Sequence, residues 1–508
     1  MKLYIYSSLF YSICLLHSFV HADKCDWPCG PHDAGGTHFQ ESEKTIKSSN
    51  VSQLYVKWFK GGIAVLASPS IVGGKIYYGD AQGVMHAAKT EDGAEIWDSK
   101  IGTKSLICSP TISDDCIYSA CHVGSANGNQ EISHLLEVKR KSGRIGWKAY
   151  AEGGDSIPLF EHAPIYDKHL IILGTSSKEA LEDKKDYEFQ GGVYAFDEKT
   201  GFLKWRYKFT DINAGEGAGV DACSSASLDP SLGYLYIATG NSYEEPASDR
   251  SCALLCLHYL TEKRDGEFIW GYQFEKKGLW STKHPKGTYW GVKGAPLLFK
   301  SSSKRLVGIS DNQRNFQAFD RKTGQPVWST SLIPKKEVPL PIGSSSAACD
   351  GDIIYTTANY ASGSHFSIEL FTKPLTEEKQ KSLLKFLSRQ CKSTITAIKA
   401  KTGAIKWQKS FDGANLACVS VANNIVYAAF FNGYLRALDA KSGETLFEFR
   451  TGPAPGMYGL PPYNLSIPLN TTPIISNGRV FVGGGYLFPQ TLDKAISGGL
   501  FAFELPKT

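Results

Sequence analysis

Short segments in which bulky and small residues alternate recur along the chain. Each is followed by an acidic or polar residue, a Thr-Gly or Ser-Gly pair and an aromatic residue. The clearest copy runs from Val193 through Asp197 and Thr200-Gly201 to Trp205. Alternation with a period of two predicts a β-strand with one face against a neighbouring sheet. An Asp shortly before Thr-Gly predicts a hairpin turn, because its carboxylate can accept backbone N–H groups and Gly adopts the positive φ that closes the turn.

Recurrence of this pattern predicts a repeat architecture. The copies end at Trp97, Trp147, Trp205, Trp270, Trp328, Trp407 and Phe447. A Trp at one place in each unit can pack on the next sheet while its indole N–H donates to a backbone carbonyl. Intervals of 40 to 79 residues between these aromatic positions fit four-stranded sheets with loops of variable length.

The two ends of the chain complete the ring. The segment from Val51 to Trp58 has the pattern of a last strand without its unit, and Gly499 to Phe503 has the pattern of a strand that stops before its turn. Joined, they make an eighth unit, and a closed ring hides sheet edges that would otherwise aggregate. The sequence therefore predicts an all-β fold, an eight-bladed β-propeller whose N-terminal strand closes the last blade.

Composition adds a cellular context. In residues 1–22, Lys2 precedes an apolar stretch that ends in Val20-His21-Ala22, which predicts a signal peptide and an exported protein, periplasmic or secreted. Residues 23–508 would then form a single propeller. No later apolar run approaches the roughly 20 residues of a transmembrane helix. The 55 basic and 50 acidic residues are mixed along the chain, which does not favour a nucleic-acid partner.

Twelve cysteines in an exported chain make disulfides possible. Cys14 belongs to the predicted signal peptide, so eleven remain and at least one is unpaired within the chain. Cys25 and Cys29 are close enough for a local disulfide. Covalent haem is not expected there, because it requires Cys-x-x-Cys-His, and this spacing is one residue longer with Gly30 following.

Three long loops interrupt the regular spacing, at residues 265–289, 362–393 and 452–468. Within the second, Leu383, Leu384, Phe386 and Leu387 predict a short amphipathic helix packed on the ring. Loops commonly carry function in such folds. Surface decoration is an equal alternative, and none of the three identifies a substrate.

Beyond the repeat, several segments resemble the pyrroloquinoline quinone (PQQ) repeat proteins, in particular the polyvinyl-alcohol-dehydrogenase-like quinoproteins. They are the opening segment from Gly30 to Trp58, Gly174 to Ala180, and Ala238-Thr239-Gly240-Asn241. The resemblance covers nearly the whole chain after residue 22. It implies oxidation of a small or polymeric alcohol by PQQ held over Ca²⁺, with the cofactor accepting the electrons and the protein supplying orientation and a base.

The resemblance also implies site residues. Glu179 and Asn241 match the family's Ca²⁺ ligands, and oxygen donors of this kind suit that ion. Glu179, Asn241 and Asn312 match positions that bind the cofactor, and Arg314 lies near the last of these in sequence. The catalytic residue remains unidentified.

The chain departs from the family at three places. No adjacent cysteines occur, and residues 184–191 stand where the family has a vicinal disulfide. Ala222 takes the position expected for the Trp under the cofactor, and Gly291 takes that of the catalytic Asp. Without a positioned base, hydride loss from an alcohol forfeits roughly two to four powers of ten in rate.

Two hypotheses follow. In the first, the protein is an active PQQ- and Ca²⁺-dependent alcohol oxidoreductase with a non-standard base. In the second, it is a propeller in which catalysis is weak or lost and whose face binds a ligand or a protein partner. The departures favour the second, because function depends on the residues of the site more than on the fold.

Overall fold

The structure, a computed structural model, describes most of the chain after residue 23. The described residues are 24–104, 106, 108–124, 131–151, 159–182, 185–261, 263–276, 278–286, 291–292, 294–311, 314–340, 346–361, 376–453, 466–488 and 491–507. The signal peptide expected at residues 1–22 lies outside them. Of the described helices, none is long and apolar enough to cross a membrane.

Eight sheets form an eight-bladed β-propeller, as the sequence predicted. Blade 1 contains Ser70–Val72, Lys75–Gly79, Val84–Lys89 and Glu95–Lys100. Blade 2 contains Thr111–Ile112, Cys116–Gly124, Glu131–Lys139 and Ile145–Ala149. Blade 3 contains Ile165–Asp167, Leu170–Gly174, Gly192–Asp197 and Leu203–Lys208. Blade 4 contains Ser227–Asp229, Tyr234–Ala238, Ala253–His258 and Phe268–Gln273.

The other four blades follow in chain order. Blade 5 contains Leu297–Ser301, Lys304–Ser310, Asn315–Asp320 and Pro326–Ser331. Blade 6 contains Val338–Pro339, Ala348–Cys349, Ile353–Ala361, Lys392–Lys399 and Ile405–Asp412. Blade 7 contains Ser420–Ala422, Ile425–Ala429, Tyr434–Asp439 and Thr445–Arg450, with Phe39–Gln40 parallel to its first strand. Blade 8 contains Ile474–Ser476, Arg479–Phe488, Thr491–Glu504 and the N-terminal strand Tyr55–Gly61.

Helical segments are short and lie between strands. They are the 3₁₀ turns Val51–Gln53, Glu179–Leu181 and Ile212–Ala214, the α-helix Glu377–Lys385 and the π-helical turn Phe386–Gln390. The α-helix and π-turn contain the predicted apolar residues Leu383, Leu384, Phe386 and Leu387, all buried in the core beneath blades 7 and 8. The amphipathic helix expected in the second long loop is therefore confirmed.

The repeated turn forms as its residues predict. In the hairpin of blade 3, Asp197 Oδ1 accepts the backbone N–H of Lys199 at 3.1 Å and of Thr200 at 3.0 Å, and the Thr200 hydroxyl at 2.8 Å. The Thr200 hydrogen bond is the main reason that the pKa of Asp197 lies below its usual value. Gly201 then adopts φ +69°. Asp320 and Asp439 make the same three contacts in their own blades.

Each of these turn glycines lies against the Trp of the preceding blade. The pairs are Gly93 on Trp58, Gly143 on Trp97, Gly201 on Trp147, Gly266 on Trp205, Gly324 on Trp270, Gly403 on Trp328 and Gly443 on Trp407. The indole N–H donates to a carbonyl of the next blade at 3.0–3.2 Å for Trp58, Trp97, Trp147, Trp270 and Trp407. A Cβ on Gly201 would lie 2.6 Å from the Trp147 ring. The contact therefore requires glycine for two reasons: the positive φ of this residue and the lack of space for a side chain.

The ring closes in blade 8, where Tyr55–Gly61 pairs antiparallel with Thr491–Glu504. Glu504 binds residues from both ends of the chain. Its carboxylate lies 2.6 Å from Lys57 Nζ, accepts the Tyr55 hydroxyl at 2.9 Å and pairs with Arg479 Nε at 3.2 Å. The predicted closure by the N-terminal strand is confirmed.

Residues 24–40, which we call the N-terminal plug, run across one end of the central channel. Backbone hydrogen bonds join the plug to the first strands of six blades, at Ile71, Ile112, Leu228, Leu298, Cys349 and Val421. Their partners in the plug are Trp27, Pro28, Ala34, Gly35, Thr37 and His38, in the same order. The plug thus follows the ring from blade to blade, and three of its residues, Gly30, Pro31 and His38, line the central cavity.

The dock between Gly201 and Trp147 yields a stability prediction. Gly201→Ala should lower the free energy of unfolding by about 1–2 kcal/mol through strain at positive φ, and by about 1–3 kcal/mol more through overpacking against the ring. Gly73→Ala is the matched control, since Gly73 has φ +61° and an added Cβ would meet no described atom within 4 Å. Equilibrium urea unfolding of both variants would measure the difference, and equal losses would contradict a packed dock.

The closure yields a pH prediction. Burial alone would raise the pKa of Glu504, but Lys57, Tyr55 and Arg479 lower it below its usual value. The stabilisation is therefore complete above about pH 4.5, the ordinary range for Glu, and is lost as the pH falls through the lowered pKa. Glu504→Gln should cost about 1–2 kcal/mol at pH 7, and the difference from wild type should shrink below pH 4.

Urea unfolding across that pH range would test this prediction. The control is Glu95→Gln, because the Glu95 side chain is 55% exposed and lies 3.9 Å from Lys60. Exposed ion pairs of this kind contribute little to the free energy of unfolding. A pH-independent loss in Glu504→Gln would show that the side chain acts through packing rather than charge.

Candidate functional site

A cavity of about 330 Å³ lies at the centre of the propeller. Its wall repeats with the fold, because the residue two positions before the innermost strand of every blade faces it. These residues are Ser68, Ser109, Ala163, Ser225, Ala295, Ser346, Cys418 and Thr472. We call this set the eight-residue ring. Small side chains at all eight positions leave the cavity open.

The floor and remaining wall come from other segments. Gly30, Pro31 and His38 of the plug line the cavity, together with Glu161 and His162 of blade 3. The His162 ring donates from Nε2 to the Ala222 carbonyl at 3.0 Å. Glu161 Oε2 accepts the Ser176 hydroxyl at 2.7 Å, so a carboxylate oxygen is held beside the cavity by a defined partner.

Two polar atoms in the wall are unpaired. Ser224 Oγ and Asn470 Oδ1 are buried and have no hydrogen-bond partner among the described residues. Ser224 as a whole is 3% exposed. A buried hydroxyl or carbonyl without a partner costs about 1–3 kcal/mol, and a bound ligand or water that pairs with it recovers that energy. The cavity is therefore equipped to bind a polar molecule.

Glu179, an expected cofactor and metal ligand, lies on the 3₁₀ turn Glu179–Leu181 and is 3% exposed. Its Oε2 accepts the backbone N–H groups of Glu188 at 3.0 Å and Phe189 at 2.8 Å. The carboxylate thus fastens residues 188–189, within the segment that stands in place of the family's vicinal disulfide.

Asn241, the second expected ligand, follows the strand Tyr234–Ala238 and is 6% exposed. Its Oδ1 accepts the backbone N–H of Gly291 at 3.2 Å. The structure therefore joins Asn241 to Gly291, the position at which the resemblance implies a catalytic Asp. Asn312, the third expected cofactor residue, lies outside the described residues. Arg314 directs its guanidinium to the carbonyls of Pro334 and Glu337, in the connection between blades 5 and 6.

Cys223 occupies the space around Gly291. A Cβ on Gly291 would lie 3.2 Å from Cys223 Sγ, and one on Gly240 would lie 3.0 Å from it. Cys223 also lines the cavity, whereas Ala222 is buried in the core between blades 3 and 4. Cys223, with the following Ser224 and Ser225, therefore lines the cavity, and Ala222 does not.

The sequence analysis missed Asp221 and Tyr243, which connect the expected ligands. The Tyr243 hydroxyl donates to the Asp221 carboxylate at 2.7 Å, and Asp221 Oδ1 also accepts the Ser177 N–H at 2.8 Å. Burial, with Asp221 and then Cys223 and Glu179 nearby, raises the pKa of Tyr243 well above its usual value. The tyrosine therefore stays protonated as a donor. No repeat or motif marks either residue.

Aromatic side chains pack together at residues 187–189, in the segment for which the family resemblance implies a vicinal disulfide. Phe189 stacks on Tyr243 with ring centroids 6.0 Å apart, Tyr187 meets the same ring edge-on at 5.9 Å, and Trp280 belongs to the same cluster.

Among the described residues no disulfide forms, so the local bridge expected between Cys25 and Cys29 is not present.

The oxygen atoms of the expected calcium ligands already bond protein groups. Ca²⁺ takes six to eight oxygen ligands. Glu179 Oε2, Asn241 Oδ1 and both oxygens of Asp221 already accept protein N–H or O–H groups. Across the described part of the chain, no group of three or more His, Cys, Asp or Glu side chains is arranged to hold a metal ion. A metal ion at Glu179 and Asn241 would therefore have to share these oxygens with the protein groups that they already accept.

Comparisons with known proteins place the chain among PQQ propellers. The PQQ_2 family model, described as outer membrane protein assembly factor BamB, matches residues 40–248 and 384–503. The model described as the β-propeller domain of glucose, ethanol and alcohol dehydrogenases matches residues 150–392. A polyvinylalcohol dehydrogenase of Pseudomonas sp. is 20% identical over 482 residues, which cover 87% of this chain and 70% of that protein.

Solved structures show the same fold. Quinohemoprotein alcohol dehydrogenase ADH IIG of Pseudomonas putida superposes with a TM-score of 0.72 at 15% identity, covering 96% of this chain and 81% of that one. BamB of Moraxella catarrhalis superposes with a TM-score of 0.51 at 11% identity, covering 89% and 99%. With the PQQ_2 model matching more than half of its residues and eight blades in its structure, this chain belongs to the PQQ-repeat β-propeller family.

Proposed function

We propose that this protein is a ligand-binding propeller whose central cavity takes a small hydroxylated molecule, and in which PQQ- and Ca²⁺-dependent alcohol oxidation is weak or absent. The observation that carries the proposal is the pair of unpaired buried oxygens, Ser224 Oγ and Asn470 Oδ1, in a cavity wall rich in hydroxyl groups. A ligand hydroxyl both donates and accepts, so it can satisfy either atom.

The state of the expected cofactor site supports the second half of the proposal. With Gly291 at the position of the base, no side chain there can accept an alcohol proton. A side chain at position 291 would lie in tight contact with the Cys223 sulfur, which is 3.2 Å from the position of an added Cβ. The nearby carboxylates of Glu179 and Asp221 are committed to backbone amides and to Tyr243. These contacts stabilise loops rather than activate a substrate.

The ligand reaches the cavity from the end of the channel opposite the plug. In this proposal Ser224 and Asn470 orient the ligand, and the hydroxyls of the eight-residue ring provide further donors and acceptors. Glu161, held by Ser176, supplies a charged acceptor at one side. The protein acts after export through residues 1–22. A protein partner at the propeller face is compatible with the same fold.

An alternative function, alcohol oxidation with bound PQQ, is favoured by one observation. Quinoprotein alcohol dehydrogenases resemble the chain over most of its length. In that case PQQ would supply the electron chemistry when bound. Asp221 would be the nearest carboxylate able to replace the missing base, once released by Tyr243.

Titration of the purified protein with PQQ and Ca²⁺ separates the two functions. We expect neither stoichiometric tight binding, measured by calorimetry and absorbance, nor dye reduction on addition of an alcohol. Tight binding followed by alcohol-dependent dye reduction would reject the cofactor-free proposal. Glu179→Ala should then abolish PQQ binding, whereas Glu182→Ala, on the exposed end of the same turn, should not.

Ligand binding itself can be tested by thermal shift against a panel of small diols and sugars. For the compound that binds best, Ser224→Ala should weaken affinity by about three- to tenfold, the value of one hydrogen bond. Ser119→Ala is the matched control, because Ser119 Oγ is also buried without a partner among the described residues but lies in the core of blade 2. Equal effects of the two variants, or no binding by any compound, would contradict the proposal.

A further inference from the structure

His38 of the plug is held in a defined orientation at the cavity. It is 2% exposed and adopts φ +47°, which is unusual for a residue other than glycine. Its Nδ1 lies 3.1 Å from the carbonyl of Gly36. Because a carbonyl can only accept, Nδ1 carries a proton. The other ring nitrogen, Nε2, is therefore the one left to bond the thiol of Cys418.

Cys418 is the single sulfur in the eight-residue ring. The other seven members are Ser, Ala or Thr, and Cys418 is partly exposed to the cavity. Its thiol is hydrogen-bonded to His38, to the Ser346 hydroxyl from blade 6 and to the Thr472 hydroxyl from blade 8. A thiol that faces a cavity beside an imidazole and two hydroxyls has the surroundings of a nucleophile rather than of a core cysteine.

The charges around the pair are consistent with a thiolate and an imidazolium. Burial would raise the pKa of Cys418, but the charge of His38 and the three hydrogen bonds lower it to about 7. Burial would lower the pKa of His38, yet Cys418, the Gly36 carbonyl and the nearby Asp33 carboxylate raise it. Ser346 and Thr472, from the adjoining blades, are uncharged.

Eight other cysteines of the chain have the opposite environment. Burial raises the pKa of Cys29, Cys108, Cys121, Cys252, Cys256, Cys349 and Cys391. Cys116 resembles Cys418 in being partly exposed, but burial and the neighbouring Glu137 raise its pKa. Cys116 is therefore an internal control for thiol reactivity.

We propose that Cys418 and His38 form a nucleophilic thiolate–imidazolium pair that binds covalently, within the cavity, a small electrophile in which a carbonyl group activates a carbon–carbon double bond. The Cys418 sulfur forms a bond to the β-carbon, and the π-electron pair of the double bond moves to the α-carbon. The His38 imidazolium gives its proton to that carbon. The addition consumes no oxidant or reductant and releases no leaving group.

The hydroxyl-rich wall suits this class of ligand. The carbonyl oxygen of the electrophile gains electron density as the sulfur adds, and a hydroxyl donor beside it stabilises that charge. The proposal does not depend on whether the cavity also binds a hydroxylated ligand or PQQ, since neither Glu179 nor Asn241 contributes to it.

The test uses the full folded protein and N-ethylmaleimide as the electrophile. After brief labelling at pH 5 to 9, digestion and mass spectrometry follow the Cys418 and Cys116 peptides together. We expect Cys418 to label at least about tenfold faster than Cys116 at pH 6, with a midpoint near 7. His38→Gln should remove this advantage and move the midpoint of Cys418 upward.

Two further variants keep the result interpretable. His32→Gln changes another histidine of the plug, whose ring contacts Trp27 and Asp33, and should leave Cys418 labelling unchanged. Cys418→Ser restores the residue type common in the ring, so it should fold and lose only the adduct. Equal rates and midpoints for Cys418 and Cys116 in the wild type, or unchanged Cys418 labelling in a folded His38→Gln protein, would overturn the proposal.

Discussion

The contact between a Trp and the turn glycine of the next blade is the interaction on which the propeller depends. A single blade is one small sheet and cannot bury its apolar faces alone, so every blade needs a neighbour on each side. The indole covers the next hairpin and, in five joints, also bonds a carbonyl there. The last joint has no such Trp. There Phe447 and Phe449 pack on Phe503, and the N-terminal strand completes the blade.

The N-terminal plug adds a second level of organisation. Its backbone hydrogen bonds tie six blades together at the channel axis, where the Trp docks do not reach. The plug also brings polar groups to the cavity floor. His38 reaches Cys418 only because Phe39–Gln40 pairs with the first strand of blade 7, which fixes the register between the two segments. The pairing of these two strands thus places the His38 imidazole near the Cys418 thiol.

The neighbourhood of Asn241 shows how a common scaffold can host different chemistry. The positions that the family resemblance assigns to calcium remain polar, but their oxygens now hold the local backbone and Tyr243. Around Gly291 a thiol from Cys223 takes the available space. In the cavity wall, Ser224 Oγ and Asn470 Oδ1 have no hydrogen-bond partner among the described residues. The proposed ligand binding rests on these atoms and not on the positions that resemble the cofactor site.

What the sequence determined by itself is local and periodic. Asp197, Thr200 and Gly201 specify a turn through contacts within a few residues, and regular repetition of that turn specified eight blades and their closure. An alignment of the blades on their inner strands would also have revealed the small residue that lies two positions before each of these strands. Buried apolar spacing was enough to predict the helix Glu377–Lys385.

Only the tertiary structure decided which distant residues meet. His38 and Cys418 are 380 positions apart, and Asp221 meets Tyr243 through loops that carry no repeat signal. In residues 221–225 the chain path brings Cys223, Ser224 and Ser225 to the cavity and leaves Ala222 in the core between blades 3 and 4. The site therefore depends on register, on loop paths and on the plug, which are properties of the assembled ring and not of any one segment.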